Sequence, residues 1–291
     1  MSLALIVNPS AGGGRAGRAL PGVVARLRHH RLEHHVEQTR SLEHARELAR
    51  AAAAAGQTAV AFGGDGLIAA VAGALKHTEA TLGVLPGGRG NDFARVLGIP
   101  RDPRAACAVL ATGVVRPVDL GAVGDRGFIG IASCGFDSDA NRIANETRLV
   151  RGKLVYAVGA LRALAGWTPA RFTVTLDDRE QRSFTGFSVA AANSKAYGGG
   201  MHLAPHASLQ DGLLDVVTIA ELPKLRFLGL LPTVFSGAHV RLRAVRVARA
   251  QTVRIEANRP IVMYADGDPI GELPVTVRAV ASAVRVLVPA P

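Results

Sequence analysis

One short segment of this chain has residue types and spacing that suit phosphate binding. A buried apolar run, residues 58–62, leads directly into Gly63-Gly64-Asp65-Gly66, and residues 68–75 carry apolar side chains at helical spacing. Glycine lets the backbone turn sharply and lets amides approach phosphate oxygens. A carboxylate does not bind phosphate, so Asp65 is expected to reach a Mg²⁺ that does. A plain strand-to-helix turn would explain the same residues without any ligand.

Two further segments repeat this arrangement. Residues 3–7 form an apolar run that ends in Asn8-Pro9-Ser10 and three glycines, and residues 81–85 form another that leads into the glycine-rich segment 86–95. Three strands with such loops would bring the loops together at the carboxyl edge of one parallel sheet, where open α/β sheets bind ligands. The pattern therefore predicts a phosphate site at that edge.

The elements around these loops change character along the chain. Residues 1–120 alternate strand and helix signals, with Ser41 as an N-cap for a helix over 42–55 and Asp102 before Pro103 at the start of another over 104–111. This alternation predicts a doubly wound α/β domain. Residues 121–291 are predicted to form an antiparallel β sandwich with helical insertions at 139–147 and 153–165. Its predicted strands are 128–132, 171–176, 184–192, 214–219, 240–247, 252–256, 261–264 and 275–288.

Composition limits the cellular context and the partners. The 291 residues carry a net charge of +11 but only 4% aromatic residues, so no stacking platform for nucleic-acid bases accompanies the basic side chains. An anionic membrane surface is the preferred partner, although the arginines could simply be solvated surface. Two cysteines and no apolar run of about 20 residues favour a cytoplasmic protein that associates peripherally with membranes. The composition leaves open whether the protein forms a homodimer.

With these residues in hand, the chain resembles the bacterial diacylglycerol kinase-like lipid kinases, relatives of the sphingosine kinases and, more distantly, of NAD kinases and phosphofructokinases. The resemblance runs nearly from end to end. It implies that ATP and Mg²⁺ bind at the glycine-rich loops, in a cleft between the two domains. The ATP-binding residues that it implies are Asn8, Pro9, Ser10, Thr39, Gly63, Gly64, Asp65, Gly66, Leu67, Ile68, Ala69, Gly88, Arg89, Asn91 and Asp92.

The resemblance also assigns roles to two acidic turns in the second domain. In the Asp-Gly motif near the carboxyl end, Asp268 stands where the family has a glutamate that accepts the proton of the lipid hydroxyl, and Asp266 would help to hold the metal or the turn. Together with Asp65 these are the implied catalytic residues. A second, structural Mg²⁺ is implied at Ser208, Asp211 and Leu213. Ordinary Asp-Gly turns without any ligand are the alternative at both places.

Several positions depart from the family pattern. Leu67 replaces the commoner threonine, Ala69 and Ala70 replace an Asn-Glu pair, and Arg89 replaces a threonine. An arginine could offer a fixed cation to the ATP phosphates. The preferred hypothesis is an ATP-dependent kinase of diacylglycerol or a related lipid. A non-catalytic nucleotide- or lipid-binding protein and a kinase of a soluble acceptor such as NAD remain alternatives.

Overall fold

The first part of the molecule alternates strands and helices. The computed structural model describes residues 2–136, 138, 164 and 166–290. Its first ten elements are β1 (Ser2–Val7), α1 (Ala11–His29), β2 (Glu33–Gln38), α2 (Leu42–Ala54), β3 (Thr58–Gly63), α3 (Asp65–Ala74), β4 (Thr81–Pro86), α4 (Asp92–Val96), α5 (Pro103–Thr112) and β5 (Val114–Val123).

Four of these strands form a parallel sheet in the order β2-β1-β3-β4. Strand β3 is buried along its whole length, as expected for a strand covered by helices on both faces. Helix α1 packs against α5, and α2 packs against α3. From β1 the chain moves to the edge strand β2 and then crosses back over β1 to β3. Because both connections are right-handed, the two helix pairs lie on opposite faces of the sheet. The predicted doubly wound arrangement is confirmed.

Two helices begin at side-chain hydrogen bonds that the sequence predicts. The Ser41 hydroxyl accepts a hydrogen bond from the His44 amide at 3.1 Å, and the Asp102 carboxylate accepts one from the Arg104 amide at 3.1 Å. Each bond satisfies an amide that has no partner within its helix.

The second part of the chain is rich in antiparallel strands around a core of its own. Phe136, Phe187 and Phe227 contact one another within this core. The remaining elements are β6 (Arg126–Phe128), β7 (Ile131–Gly135), β8 (Ala170–Leu176), β9 (Glu180–Ala192), β10 (Leu214–Ala220), α6 (Lys224–Val234), a 3₁₀ helix (Ala238–Arg241), β11 (Val245–Ala250), β12 (Thr252–Ala257), β13 (Val262–Ala265), β14 (Asp268–Glu272) and β15 (Val275–Val288).

The last strand returns to the first domain. Strand β15 pairs in parallel with β4 at Arg285 and Thr81, and it runs antiparallel to β5 over most of its length. Residues 1–120 therefore do not complete their sheet without the end of the chain, and β15 fixes how the two halves sit on each other.

Three sequence predictions in this part differ from the structure. The predicted strand over 128–132 is interrupted at Ile129 and Gly130, because their amides bond the Asp266 carboxylate. The predicted strand over 240–247 is wrong: a 3₁₀ helix ends at Arg241 and strand β11 begins only at Val245. Long-range contacts decide this, because buried His239 bonds the Leu203 carbonyl at 2.9 Å. Helix α6 has no counterpart among the predicted elements, and it contains Pro232, a residue type that disfavours helix interiors. The helices predicted at 139–147 and 153–165 lie outside the described residues, apart from the isolated position Leu164.

Within the described parts of the chain, every helix is too short or too polar to cross a bilayer.

Candidate functional site

The three glycine-rich loops meet at one edge of the parallel sheet, as the sequence predicts. The hydrogen-bond ladder continues beyond the strand ends, where the Asn8 amide donates to the Phe62 carbonyl at 3.1 Å and the Gly87 amide donates to the Gly63 carbonyl at 2.7 Å. Thr39, which follows β2, joins the same edge through its amide bond to the Val7 carbonyl at 2.8 Å. The loops are therefore neighbours in space.

Close backbone contact between the second and third loops requires glycine. A Cβ on Gly88 would stand 2.5 Å from the Gly64 Cα, so one of the two backbones would have to move. The first loop is tied to the same place, because the Arg15 guanidinium donates to the Gly88 carbonyl at 3.2 Å. The amides of these loops thus lie on one compact surface where a phosphate chain could approach them.

Polar side chains of the first two strand ends shape their own turns. The side-chain Oδ1 of Asn8 accepts from the Ser10 amide at 3.1 Å and from the Ser10 hydroxyl at 3.2 Å. The Thr39 hydroxyl donates to the Ser41 carbonyl at 2.6 Å. Asn8 and Thr39 are half-buried and Ser10 is exposed, so all three remain within reach of a ligand at the edge.

Asp65 lies at the start of α3 and holds the third loop in place. One of its carboxylate oxygens accepts a hydrogen bond from the Phe93 amide at 3.1 Å, so it caps α4 from another segment. Asn91 has a positive φ of 52° and bonds Gly88 with both ends of its side-chain amide, at 2.8 and 3.1 Å. Burial raises the pKa of Asp65, and the nearby Asp92 charge adds to this effect.

Asp92 links the third loop to the second domain. Its carboxylate accepts a hydrogen bond from the Gly199 amide at 2.7 Å, while Arg95 approaches its other oxygen at 3.3 Å. A Cβ on Gly90 would lie 3.1 Å from an Asp92 oxygen and 3.2 Å from an Asp65 oxygen. The two carboxylates therefore border the same small space.

Asp266 brings a third carboxylate to this edge from the turn between β13 and β14. Its two oxygens accept hydrogen bonds from the Ile129 amide at 2.8 Å and the Gly130 amide at 2.9 Å. Gly130 is required here, because a Cβ on it would come 2.4 Å from an Asp266 oxygen. Burial raises the pKa of Asp266 to about 7 against the lowering effect of these amides, and the charge of Asp65 contributes to the rise.

Other predicted residues are placed differently. The side chains of Leu67 and Ile68 are buried in the core of the first domain, so only their backbone could face a nucleotide, and Ala69 is half-buried. Arg89 is exposed at the tip of the third loop. Asp268 is also exposed, and its carboxylate makes no hydrogen bond or ion pair with a described residue. It therefore does not share the amide clamp that holds Asp266.

The structure adds residues that the sequence reasoning missed. The Asn193 side chain, at the end of β9, donates to the Asp119 carbonyl at 2.9 Å and the Ile129 carbonyl at 3.0 Å. The amides of Asn193 and Ser194 both donate to the Gly130 carbonyl at 3.0 Å. This network supports the peptide that holds Asp266. Asn193 and Ser194 are a polar pair at the end of a buried strand. The same pattern identified Asn8 in the sequence, so this pair could have been found there too.

The turn predicted to hold a structural Mg²⁺ is closed by protein hydrogen bonds. The Asp211 carboxylate accepts from the Leu213 amide at 3.1 Å, and the Ser208 hydroxyl accepts from the Gln210 amide at 3.2 Å. Buried Asp119 accepts from the Gly212 amide at 2.7 Å. The metal assignment of Ser208, Asp211 and Leu213 stays a prediction.

The carboxylates at the sheet edge suit a Mg²⁺ that arrives already bound to phosphate. Among the described residues no set of three His, Cys, Asp or Glu side chains forms a ready metal cage. Mg²⁺ usually takes one or two carboxylates together with substrate phosphate oxygens, and Asp65 and Asp266 offer carboxylates of that kind. Burial raises the pKa of both carboxyls, and neither forms an ion pair with a described cation.

Two family models match consecutive parts of the chain. Residues 2–123 match the model of the diacylglycerol kinase catalytic domain. Residues 130–288 match the YegS C-terminal NAD kinase beta sandwich-like domain.

Two curated relatives cover most of the chain. A protein named "Diacylglycerol kinase" from Mycobacterium tuberculosis (strain ATCC 25618 / H37Rv) is 37% identical over 292 residues, which span 98% of this chain and 94% of the relative. A protein named "Probable lipid kinase YegS-like" from Pseudomonas aeruginosa (strain UCBPP-PA14) is 36% identical over 252 residues, 84% of this chain and 82% of the relative.

Solved structures show the same fold. A diacylglycerol kinase of Bacillus anthracis strain Sterne superposes with a TM-score of 0.76 at 19% identity, covering 99% of this chain and 96% of the other. An NAD kinase from Archaeoglobus fulgidus in complex with ATP gives a TM-score of 0.52 at 15% identity, with 99% and 93% covered. The α/β domain followed by a β sandwich is therefore confirmed, and the chain belongs to the diacylglycerol kinase family of bacterial lipid kinases.

Proposed function

We propose that this protein transfers the γ-phosphate of ATP to the hydroxyl of diacylglycerol or a related lipid, with Mg²⁺. The observation that carries this proposal is that Asp65 of the first domain and Asp266 of the second lie close enough for their charges to interact. They do so beside three glycine-rich loops, and amides rather than cations hold both carboxylates. Such a site favours a cation that arrives bound to phosphates.

Each part of the site has a role in this reaction. The loop amides, together with the guanidinium of Arg89, would bind the phosphates of ATP. Asp65 and Asp266 would hold the Mg²⁺, which neutralises phosphate charge during the transfer. Asp268 would accept the proton of the lipid hydroxyl as the oxygen attacks phosphorus, and ADP would leave. The exposed position of Asp268 leaves its carboxylate accessible to an acceptor entering the cleft.

The experiment compares two matched carboxylates. Asp65 and Asp102 each accept one amide hydrogen bond at 3.1 Å at the start of a helix, and an asparagine oxygen can accept the same bond. Purified wild type, Asp65→Asn and Asp102→Asn are incubated with γ-labelled ATP, Mg²⁺ and mixed lipids, and the labelled lipid is extracted.

Asp65→Asn should abolish the transfer while its thermal unfolding stays near that of the wild type. Asp102→Asn should keep full activity. Full activity in Asp65→Asn with unchanged Mg²⁺ dependence would remove Asp65 from the site. If the wild type binds ATP but labels no lipid, the non-catalytic alternative is correct. If it turns over a soluble acceptor without vesicles or detergent, the acceptor is not a lipid.

A further inference from the structure

The segment that follows β10 carries basic and exposed apolar side chains. Residues 222–250 contain six lysine and arginine residues and neither aspartate nor glutamate. The segment comprises α6, the 3₁₀ helix and β11, and we call it the basic excursion. The basic residues are Lys224, Arg226, Arg241, Arg243, Arg246 and Arg249, and all of them are exposed.

The same excursion exposes large apolar side chains. Leu225 is 82% exposed, Phe235 57% and Leu242 43%. Within the described residues, these three and Val247 make up half of the eight exposed large apolar side chains. Phe227, Leu230 and Val234 of α6 are buried, so the helix anchors itself on one face and presents Leu225 on another. The excursion therefore presents exposed apolar side chains together with its basic ones.

The charges of the excursion define its partner. Arg249 is paired with buried Asp215 at 3.0 Å, but Arg226, Arg241 and Arg243 make no ion pair with a described carboxylate. Leu225 and Phe235 lie ten residues apart across α6, roughly 15 Å along a helix, so the apolar side chains are separate points rather than one cluster. Separate apolar points among unpaired cations suit a fluid anionic surface, into which apolar side chains insert while cations stay at the headgroups.

The excursion is joined to the candidate site by a short series of contacts. The His202 amide donates to the Val234 carbonyl at 2.9 Å, and the His239 ring bonds the Leu203 carbonyl at 2.9 Å. The same segment includes Gly199, whose amide bonds Asp92 at 2.7 Å. An anionic surface bound by the excursion would therefore lie next to residues 199–203, the segment that contacts the third loop.

We infer that the basic excursion docks this protein on anionic phospholipid bilayers, with Leu225, Phe235 and Leu242 inserted between lipids and the arginines at the headgroups. The choice of a bilayer as occupant rests on the proposed function, since the acceptor of a lipid kinase is held in a membrane.

The first test measures sedimentation with vesicles of about 30% phosphatidylglycerol in phosphatidylcholine, an anionic surface of the kind that attracts basic segments. The docking variant is Leu225→Ser/Arg241→Glu/Arg243→Glu. Its matched control is Val115→Ser/Arg101→Glu/Arg28→Glu, which changes charge equally at exposed positions of the first domain, with Val115 at 43% exposure. Each unit of charge near an anionic surface contributes about fivefold to affinity, so the four units removed should weaken docking by about 10²–10³-fold. The control should bind within about threefold of the wild type, since its positions lie outside the excursion.

A second test reports the location of contact and does not depend on the triple variant. Cys107 and Cys134 are buried, so a cysteine at an exposed position can be labelled selectively. Leu225→Cys and Val115→Cys are each labelled with a solvatochromic dye. Anionic vesicles should shift the emission of the Leu225 label to the blue and leave the Val115 label unchanged, whereas pure phosphatidylcholine should shift neither.

These outcomes separate the inference from the proposed function. Equal vesicle binding by the docking and control variants, an unchanged Leu225 label, or no binding by the wild type would overturn the inference. A shift of the Leu225 label with protein concentration alone would also overturn it, because a second copy of the chain would then cover the excursion. If the wild type docks but transfers no phosphate, the inference stands and the proposed function fails. Activity toward a soluble short-chain diacylglycerol should be equal in both triple variants.

Discussion

Replacing Asp266 by asparagine should change the stability of the protein in a strongly pH-dependent way. The pKa of Asp266 is raised from its ordinary value of 3.8 to about 7 by burial, with a contribution from the charge of Asp65. The folded chain therefore binds a proton at Asp266 more tightly than the unfolded chain does. Stability from this group is full below about pH 4 and is lost as the pH rises through about 7, because the folded protein must then bury a charge.

The size of the effect follows from these two pKa values. Each pH unit between them costs about 1.4 kcal/mol, so ionised Asp266 lowers the free energy of unfolding by on the order of 4 kcal/mol at about pH 8. At about pH 5 the loss is only about 1.5–2 kcal/mol by the same relation. The asparagine side chain in Asp266→Asn carries no charge, but its NH₂ group cannot accept the amide bond that a carboxylate oxygen accepts. That lost bond costs about 1–3 kcal/mol at every pH.

The assay is urea unfolding of the wild type and Asp266→Asn between about pH 5 and about pH 8. The unfolding free energy of Asp266→Asn minus that of the wild type should rise by about 2–3 kcal/mol from the lower to the higher pH. The lost hydrogen bond contributes equally at each pH and does not affect this change. Asn258→Ala, which removes the acceptor of the Arg171 amide bond but no ionisable group, is the control and should give a difference that does not change with pH. A difference for Asp266→Asn that stays constant within about 0.5 kcal/mol would refute the argument that burial of this carboxyl opposes its ionisation.

Three other substitutions test the rest of the site. Asp268→Asn should lower kcat by about 10²–10⁴ without changing ATP affinity, while Asp268→Glu keeps most of the activity; a wild-type rate in Asp268→Asn would leave Asp268 as a turn residue. Asp119→Ala should lower the free energy of unfolding by about 2–4 kcal/mol, because two amides lose their acceptor, and an unchanged urea midpoint would contradict this. Gly88→Ala should cost about 1–3 kcal/mol, whereas Gly73→Ala, in open space within α3, should stabilise by about 0.5–1 kcal/mol; equal effects would show that the close loop contact is not limiting.

The local parts of this molecule were predictable from its sequence. Apolar runs that end in glycine-rich loops placed the three loops on one edge, because strand periodicity and right-handed connections leave little choice of topology. Ser41 and Asp102 cap their helices as predicted, since a cap depends only on its own turn. The strand pattern predicted the sandwich and the resemblance added the family, and both are confirmed.

The contacts between distant segments were not predictable. Asp266 bonds amides 136 and 137 residues away in the sequence, and Asp119 bonds Ser282 across 163 residues. Such bonds depend on the register of β13 beside β7 and of β15 beside β5, which no local pattern specifies. For the same reason the sequence identified Asp266 and Asp268 together and could not tell that only Asp266 is held by amides.

The buried carboxylates of this chain are held in two different ways. Asp215 is paired with Arg249 at 3.0 Å, and this cation lowers the pKa of Asp215 against the larger raising effect of burial. Asp65 and Asp266 are instead oriented by backbone amides, which fix their position but leave much of the charge uncompensated. The unmatched charge costs stability in the free protein, and a cation bound to phosphates would remove that cost. Nucleotide binding should therefore stabilise the contact between the two domains, because Asp65 belongs to the first domain and Asp266 to the second.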